Sequence, residues 1–352
     1  MHPKKVIFVL GTFAVAGAVF GGRFLGGEAR VPELREGHGV PPLMRQHNYE
    51  RVWSKRKITR VLTIGGEKNP ILENAVKVAA DGQGNFYILD FGAHNVKKFS
   101  PRGEMIRSFG NGKGQGPGEF LFPADLLIDN AGKVWITDPM NGRIDVFTPD
   151  GRLAESIKPS RSVYRLTSGR RDELLLMHTP TGGALFSLLN TTQSQELMEL
   201  PIGNLLVRQD HAQAAIALDG SIATGSDGGF VYAPLRFGVL LAFDASGRVR
   251  FFRETLDREP LPKVVVADDG TTFADREAPV AALSLSVVGE EIFVLNVFET
   301  GFKRKKIFDV YGYVDGKYHY SFEIPASFET GSVLKGGVVT LDGVSLALWA
   351  LK

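Results

Sequence analysis

The chain has no cysteine in its 352 residues, so no disulfide, thiolate nucleophile or cysteine-ligated metal can form within it. Cysteine is dispensable in any compartment, so its absence does not place the protein. Histidine is scarce. His2, His38, His47, His94, His178, His211 and His319 are all there are, and none forms a close pair at metal-ligand spacing. Net charge is small, with 41 Lys and Arg against 39 Asp and Glu. No strong field exists to hold nucleic acid, and no block of like charge suggests a binding tail. No Gly-x-Ser-x-Gly elbow or Ser/His/Asp order stands out.

Only the first 30 residues carry a long apolar run. Lys4 and Lys5 precede Val6–Gly22, and Arg23 closes the run. This length is short for a spanning helix and a little long for a signal core. Ala16-Gly17-Ala18 and Gly27-Glu28-Ala29 are small-residue cleavage candidates. Residues 1–30 therefore read as a cleaved signal peptide or an uncleaved membrane anchor. Both readings export the rest of the chain, to the periplasm or beyond the cell, and confine membrane contact to this segment. Residues 31–46, with Pro32, Pro41 and Pro42, read as a linker.

What the chain has in abundance is turns, with 41 Gly and 18 Pro, and a repeat. Asp81, Asn85, Tyr87, Asp90, Val96, Phe99 and Gly103 recur 48 positions later as Asp129, Lys133, Trp135, Asp138, Ile144, Phe147 and Gly151. A fixed period of this size means stacked supersecondary units. Each copy holds four short β-branched or aromatic runs separated by Asp/Asn/Gly turns. Four antiparallel strands per period is the blade of a β-propeller. Weaker copies follow at Leu174–His178, at Asp219–Ile222, which aligns with the turn and second-strand start at Asn130–Val134, at Ile292–Asn296 and at Val338–Trp349. The fold predicted for 47–352 is all-β, a six-bladed propeller of four-stranded antiparallel blades. Glu50–Trp53 and Thr59–Gly65 are expected to supply the outer strands of the last blade, two strands from each end of the chain. Three plus one is the alternative closure.

Pro123–Asp129, Gly132–Asp138, Asn141–Phe147 and Asp150-Gly151 resemble an NHL repeat. Val78, Asp81, Gly84-Asn85, Asp90, His94-Asn95-Val96 and Phe99 are similar to it as well. The resemblance covers about 100 residues and implies a six-bladed propeller. Its function is mixed across protein- and nucleic-acid-binding modules, amidating lyases and lactonase relatives, so fold does not decide activity.

Asp90 and Asp138 end strands, where a carboxylate can hold the amides of the next turn. Gly110–Gly116 lacks the Lys-Ser/Thr ending of a phosphate loop and reads as an inter-blade spacer. The repeat register places Lys77, Asp125, Arg165 and Gln213 at the channel mouth, with Ser284 as a further candidate. Two cations and one carboxylate suit a polar or anionic ligand better than Ca²⁺, or they pair with one another. Residues 225–238 and 253–283 read as enlarged loops on one face, where binding resides. The basic run Lys303–Lys306 borders that face without interleaved aromatics.

The expectation is a binding or scaffold module that takes a protein partner or a polar ligand, with no nucleic acid and no cofactor. The alternative is a metal-dependent hydrolase or lyase with its site in the channel.

Overall fold

The computed structural model of the chain describes residues 41–170, 172–179, 184–200, 217–266, 272–274, 279–300 and 303–352. The expected signal or anchor, residues 31–40 of the linker, and Gln213 lie outside the described residues.

Strand β1 (Ile58–Gly65) precedes the first blade, which is β2 (Ala75–Ala80), β3 (Phe86–Asp90), β4 (Asn95–Phe99) and β5 (Met105–Phe109). Blade 2 is β6 (Asp125–Ile128), β7 (Val134–Asp138), β8 (Arg143–Phe147) and β9 (Leu153–Ile157). Blade 3 is β10 (Val163–Ser168), β11 (Glu173–His178), β12 (Phe186–Asn190) and β13 (Gln195–Leu200). Blade 4 is β14 (Gly220–Thr224), β15 (Phe230–Pro234), β16 (Val239–Phe243) and β17 (Val249–Glu254). A short hairpin, β18 (Val264–Val266) with β19 (Thr272–Ala274), interrupts the crossover that follows. Blade 5 is β20 (Ser284–Val288), β21 (Glu291–Thr300), β22 (Lys303–Gly312) and β23 (Tyr318–Glu323). β24 (Thr330–Leu334), β25 (Gly337–Leu341) and β26 (Ser345–Leu351) begin blade 6, and β1 completes it.

All pairs within the blades are antiparallel, and the first strand of each blade touches that of the next, β24 returning to β2. The ring therefore closes around a channel as a six-bladed propeller. β3 and β7 are buried at every position because both of their faces press on neighbouring blades. Among the described residues each blade–blade interface has its own apolar cluster. Between blades 1 and 2, Tyr87, Phe109, Phe120, Ile136 and Phe147 pack together. Burying a side chain of this size stabilises by about 1.5–3 kcal/mol.

The repeat follows from turn chemistry. Asp129 accepts hydrogen bonds from the Ala131 and Lys133 amides and from the Trp135 indole, the last at 2.9 Å. Asp81 does the same for Gln83, Asn85 and the Tyr87 hydroxyl. One carboxylate thus ties a hairpin turn to the buried aromatic of the next strand, which is why the two positions recur together.

Two expectations need correction. Closure is three plus one: β1 alone joins β26 as the outer strand of blade 6, over Ile58↔Leu351 to Gly65↔Ser345. Glu50–Trp53 runs instead along the outer edge of blade 5, parallel to β23. Ser321 donates its amide to Val52 O, and Ser54 donates to Ser321 O, each at 2.8 Å. An extended strap can pair with any unpaired outer edge through main-chain groups alone, so side-chain pattern does not choose the edge.

The second correction concerns blade 4. Gly220–Thr224 is its first strand, not its second, and Phe230–Pro234 is the second. Residues 225–238 are consequently not one enlarged turn: 225–229 and 235–238 are two short connections around β15. The enlarged crossover does stand, running from Thr255 to Leu283 and carrying the β18–β19 hairpin.

Candidate functional site: the channel mouth

Strand pairing fixes which residues share one level of the channel. Lys77 lies opposite Leu89, Asp125 opposite Thr137, and Arg165 opposite Met177. In blade 4 the same level falls on Ser221, opposite Ala233, because Phe230↔Phe243 matches Val134↔Phe147. Ser284, opposite Leu295, and Thr330, opposite Leu341, complete the level. Charged groups thus occupy blades 1 to 3 and hydroxyls occupy blades 4 to 6. Placing Gln213 here depended on the shifted reading of blade 4; the described residue at this level is Ser221.

The structure brings Lys77, Asp125 and Arg165 together. Lys77 Nζ is 2.9 Å from Asp125 Oδ1. Asp125 is buried and also accepts the Leu126 amide at 3.0 Å and the Leu166 amide at 3.2 Å. Arg165 donates to Ala124 O at 3.0 Å and stacks 4.0 Å from the Tyr164 ring centroid. Asp125 therefore clasps blades 1, 2 and 3, and both of its oxygens are engaged. The Lys77 side chain stays 36% exposed. Ser284 clasps blade 6 by donating to Gly331 O.

Asp219 and Arg236 join the same electrostatic neighbourhood. Burial raises the Asp219 carboxyl above its usual range, against the attraction of Arg165 and Arg236. Burial lowers the Arg236 guanidinium, partly offset by Asp219. Burial also disfavours charge on Arg165, yet Tyr164, Asp125 and Asp219 outweigh it and raise its pKa. Burial pushes the Tyr164 phenol up to about 12. The balance of the mouth is cationic, with Lys77, Arg165 and Arg236 against Asp125 and Asp219.

The crossover after β17 packs beside it. The Ala281 and Ala282 amides donate to Leu235 O, and Gly238 donates to Glu259 O. This connection therefore rests on the Leu235–Gly238 turn that carries Arg236.

Asp90 and Asp138 are structural. Asp90 accepts the Glu73, Asn74 and Ala93 amides and pairs with Lys97 Nζ at 2.7 Å. Asp138 accepts the Leu121, Phe122 and Asn141 amides. The Gly110–Gly116 spacer folds back on itself through Phe120–Gly112 and Asn111–Gly118 bonds, with no helix behind it. His178 Nε2 lies 2.7 Å from Ser187 Oγ, but both residues are fully buried, so this pair meets no substrate. His94 packs against Phe91. Among the described residues no three His, Asp or Glu side chains converge as a metal site.

The molecule is thus a six-bladed β-propeller with a polar, partly cationic channel mouth. No family model matches the chain. Human NHL repeat-containing protein 3 is 31% identical over 111 residues, 30% of this chain and 32% of that protein. The mouse protein of the same name is 30% identical over 111 residues. The match spans about a third of the length of these relatives. Among solved structures, a duf4221 family member from Bacteroides vulgatus superposes with a TM-score of 0.58 at 8% identity, over 84% of this chain and 98% of that one. Virginiamycin B lyase from Staphylococcus aureus gives 0.52 at 12% identity, over 85% and 100%. These two likenesses speak to fold alone. The repeat, the sequence match and the six-bladed ring together fit an NHL-repeat propeller.

Proposed function

We propose that the protein is an exported binding propeller that takes a small polar anion, or an acidic side chain of a protein partner, at the channel mouth. The observation that carries this is the state of Lys77. Its side chain stays 36% exposed, while the carboxylate beside it already accepts two backbone amides. An incoming carboxylate or phosphate would meet Lys77 and Arg165 on one side and the Ser221, Ser284 and Thr330 level on the other. The crossover Thr255–Leu283 would form the rim on the blade 4 side. Charge-assisted hydrogen bonds in such a half-enclosed site are about twice as strong as neutral ones.

Calorimetric titration with a panel of di- and tricarboxylates, phosphate and sulfate tests the reading. Binding should appear for at least one anion class and weaken by at least about tenfold in Lys77→Met, the loss of one charged hydrogen bond. An affinity unchanged in Lys77→Met, or no anion binding at all, would sink it. The lyase or hydrolase alternative separates in the same preparation. A stoichiometric metal ion with chelator-sensitive turnover would replace the binding reading. Fractionation of the expressing cell tests export.

A further inference from the structure

The strap that corrects the closure of the ring also concentrates positive charge. Residues 45–60 contain Arg45, Arg51, Lys55, Arg56, Lys57 and Arg60 against one acid, Glu50. That is five positive charges net in a chain whose total is +2, so everything outside the strap is net acidic. Only Arg51 points inward. Arg45, Lys55, Arg56, Lys57 and Arg60 are exposed.

The strap is tied to blades 4, 5 and 6 by hydrogen bonds. Met44 donates to Phe252 O at 2.8 Å on the edge of blade 4. Gln46 bonds Glu254 O, Gly316 O and the Tyr318 amide, bridging blades 4 and 5. Arg51 is largely buried against Asp257 and Asp309, its side chain 10% exposed. Lys57 exchanges backbone hydrogen bonds with Lys352, after which the strap becomes β1. Between the Arg51 anchor and Lys57 the chain presents Val52, 56% exposed, and Trp53, 46% exposed. Trp53 stands edge-on to Phe298 with centroids 6.3 Å apart, and Arg56 lies over the Tyr320 ring. An exposed Trp beside an exposed aliphatic neighbour, among five basic residues, has the chemistry of a surface that meets an amphiphilic partner.

We infer that this strap is a docking surface for an anionic lipid bilayer, with Trp53 and Val52 entering the headgroup region and Lys55, Arg56, Lys57 and Arg60 meeting lipid phosphates. Tryptophan is favoured at the water–hydrocarbon boundary, and a basic residue near an anionic surface contributes about fivefold in partitioning. Single-stranded nucleic acid also takes basic residues with aromatics, through stacking on π-faces. Val52 offers no such face, and the apolar run Val6–Gly22 precedes the strap on the same chain, which favours the bilayer. Membrane contact would then extend from the N-terminal segment to the propeller itself.

The full chain reports on this directly, because Trp135 and Trp349 are buried and Trp53 is the exposed tryptophan among the three. The chain is reconstituted with vesicles of brominated phosphatidylcholine, with and without phosphatidylglycerol. Lys4, Lys5 and Arg23 of the N-terminal segment also respond to anionic lipid but are shared by the wild type and a strap variant, so comparing those two isolates the strap. The expected result is a blue shift and quenching of Trp53 only with phosphatidylglycerol, reversed by high salt. Lys55→Glu/Arg56→Glu/Lys57→Glu should lower the docked population by at least about 100-fold. Equal quenching in both vesicles, none in either, or no change in the triple variant would overturn the proposal. So would quenching by oligodeoxythymidine in place of vesicles. The salt titration needs no variant, so a folding defect in the triple substitution cannot obscure the outcome.

Discussion

Arg51 Nη2 lies 3.0 Å from Asp309 Oδ2, although 258 residues separate them in sequence. The same nitrogen reaches Asp257 Oδ2 at 2.5 Å, and Phe298 covers the guanidinium at 4.2 Å. Strap, crossover and blade 5 therefore meet at one cation. Asn296 donates to both carboxylates, and Ser321 donates to Asp309.

Removing that cation should be costly. Arg51→Met leaves two neighbouring carboxylates, one of them fully buried, without a counter-charge, and a loss of about 3–5 kcal/mol is expected in urea unfolding. Burial already raises the Asp309 carboxyl, with Arg51 and Ser321 opposing. A carboxyl with a raised folded pKa favours the fold when protonated and loses that contribution as pH rises through the folded value. The variant's deficit should thus shrink as pH is lowered. A deficit that is flat or grows toward acid would contradict the burial assigned to Asp309.

The Asp90 carboxyl is shifted the other way. Burial raises its carboxyl, but Lys97 and the Asn74 and Glu73 amides outweigh burial and hold it below the usual carboxylate value. Its contribution is present above the unfolded pKa of about 4 and is lost as pH falls through the lower folded value. Asp90→Ala should cost about 3–5 kcal/mol at neutral pH, since it strands a buried ammonium. The difference between wild type and Asp90→Ala should narrow in acid. Chemical denaturation at several pH values checks both statements.

His94 stands where the next repeat has Gly142, and both adopt positive φ, 48° and 62°. The left-handed region costs an L-residue about 1–2 kcal/mol, which glycine escapes at some entropic cost. His94→Gly should therefore leave stability unchanged or raise it by about 1 kcal/mol. A loss of more than that would mean the packing of His94 on Phe91 carries weight the backbone does not reveal.

Tyrosines set the alkaline limit. Tyr313 is raised to about 12, first by burial and then by its 2.5 Å hydrogen bond to Asp227, with Arg250 opposing. Burial also raises Tyr232 and Tyr311 well above the usual phenol value. Groups raised in this way contribute below the unfolded pKa of about 10 and lose that contribution as pH climbs through the folded value. Stability should fall steeply above a pH of about 10, and phenolate absorbance should rise together with unfolding. Titration of all eight tyrosines near 10 in the folded protein would refute this.

Sequence alone determined the blade. Asp81 and Asp129 with their turn amides, Tyr87 and Trp135 above them, and the strand-ending Asp90 and Asp138 are encoded by neighbours a few residues apart. Local turn chemistry and side-chain alternation suffice to specify them, so the 48-residue period was legible. The channel level of Lys77, Asp125 and Arg165 followed from that period, and the pairing of Lys77 with Asp125 was among the readings it allowed. Where the period lapses, after β13, the register moved by one strand, and Ser221 was missed in favour of Gln213. Only the tertiary structure decided the path of residues 44–57. Their edge pairing with β17 and β23 uses main-chain groups that any residue supplies, and Gln46 and Arg51 find their side-chain partners more than 200 residues away. Contacts of that kind leave no periodic trace, which is why the closure of the ring and the basic strap outside it became visible only in three dimensions.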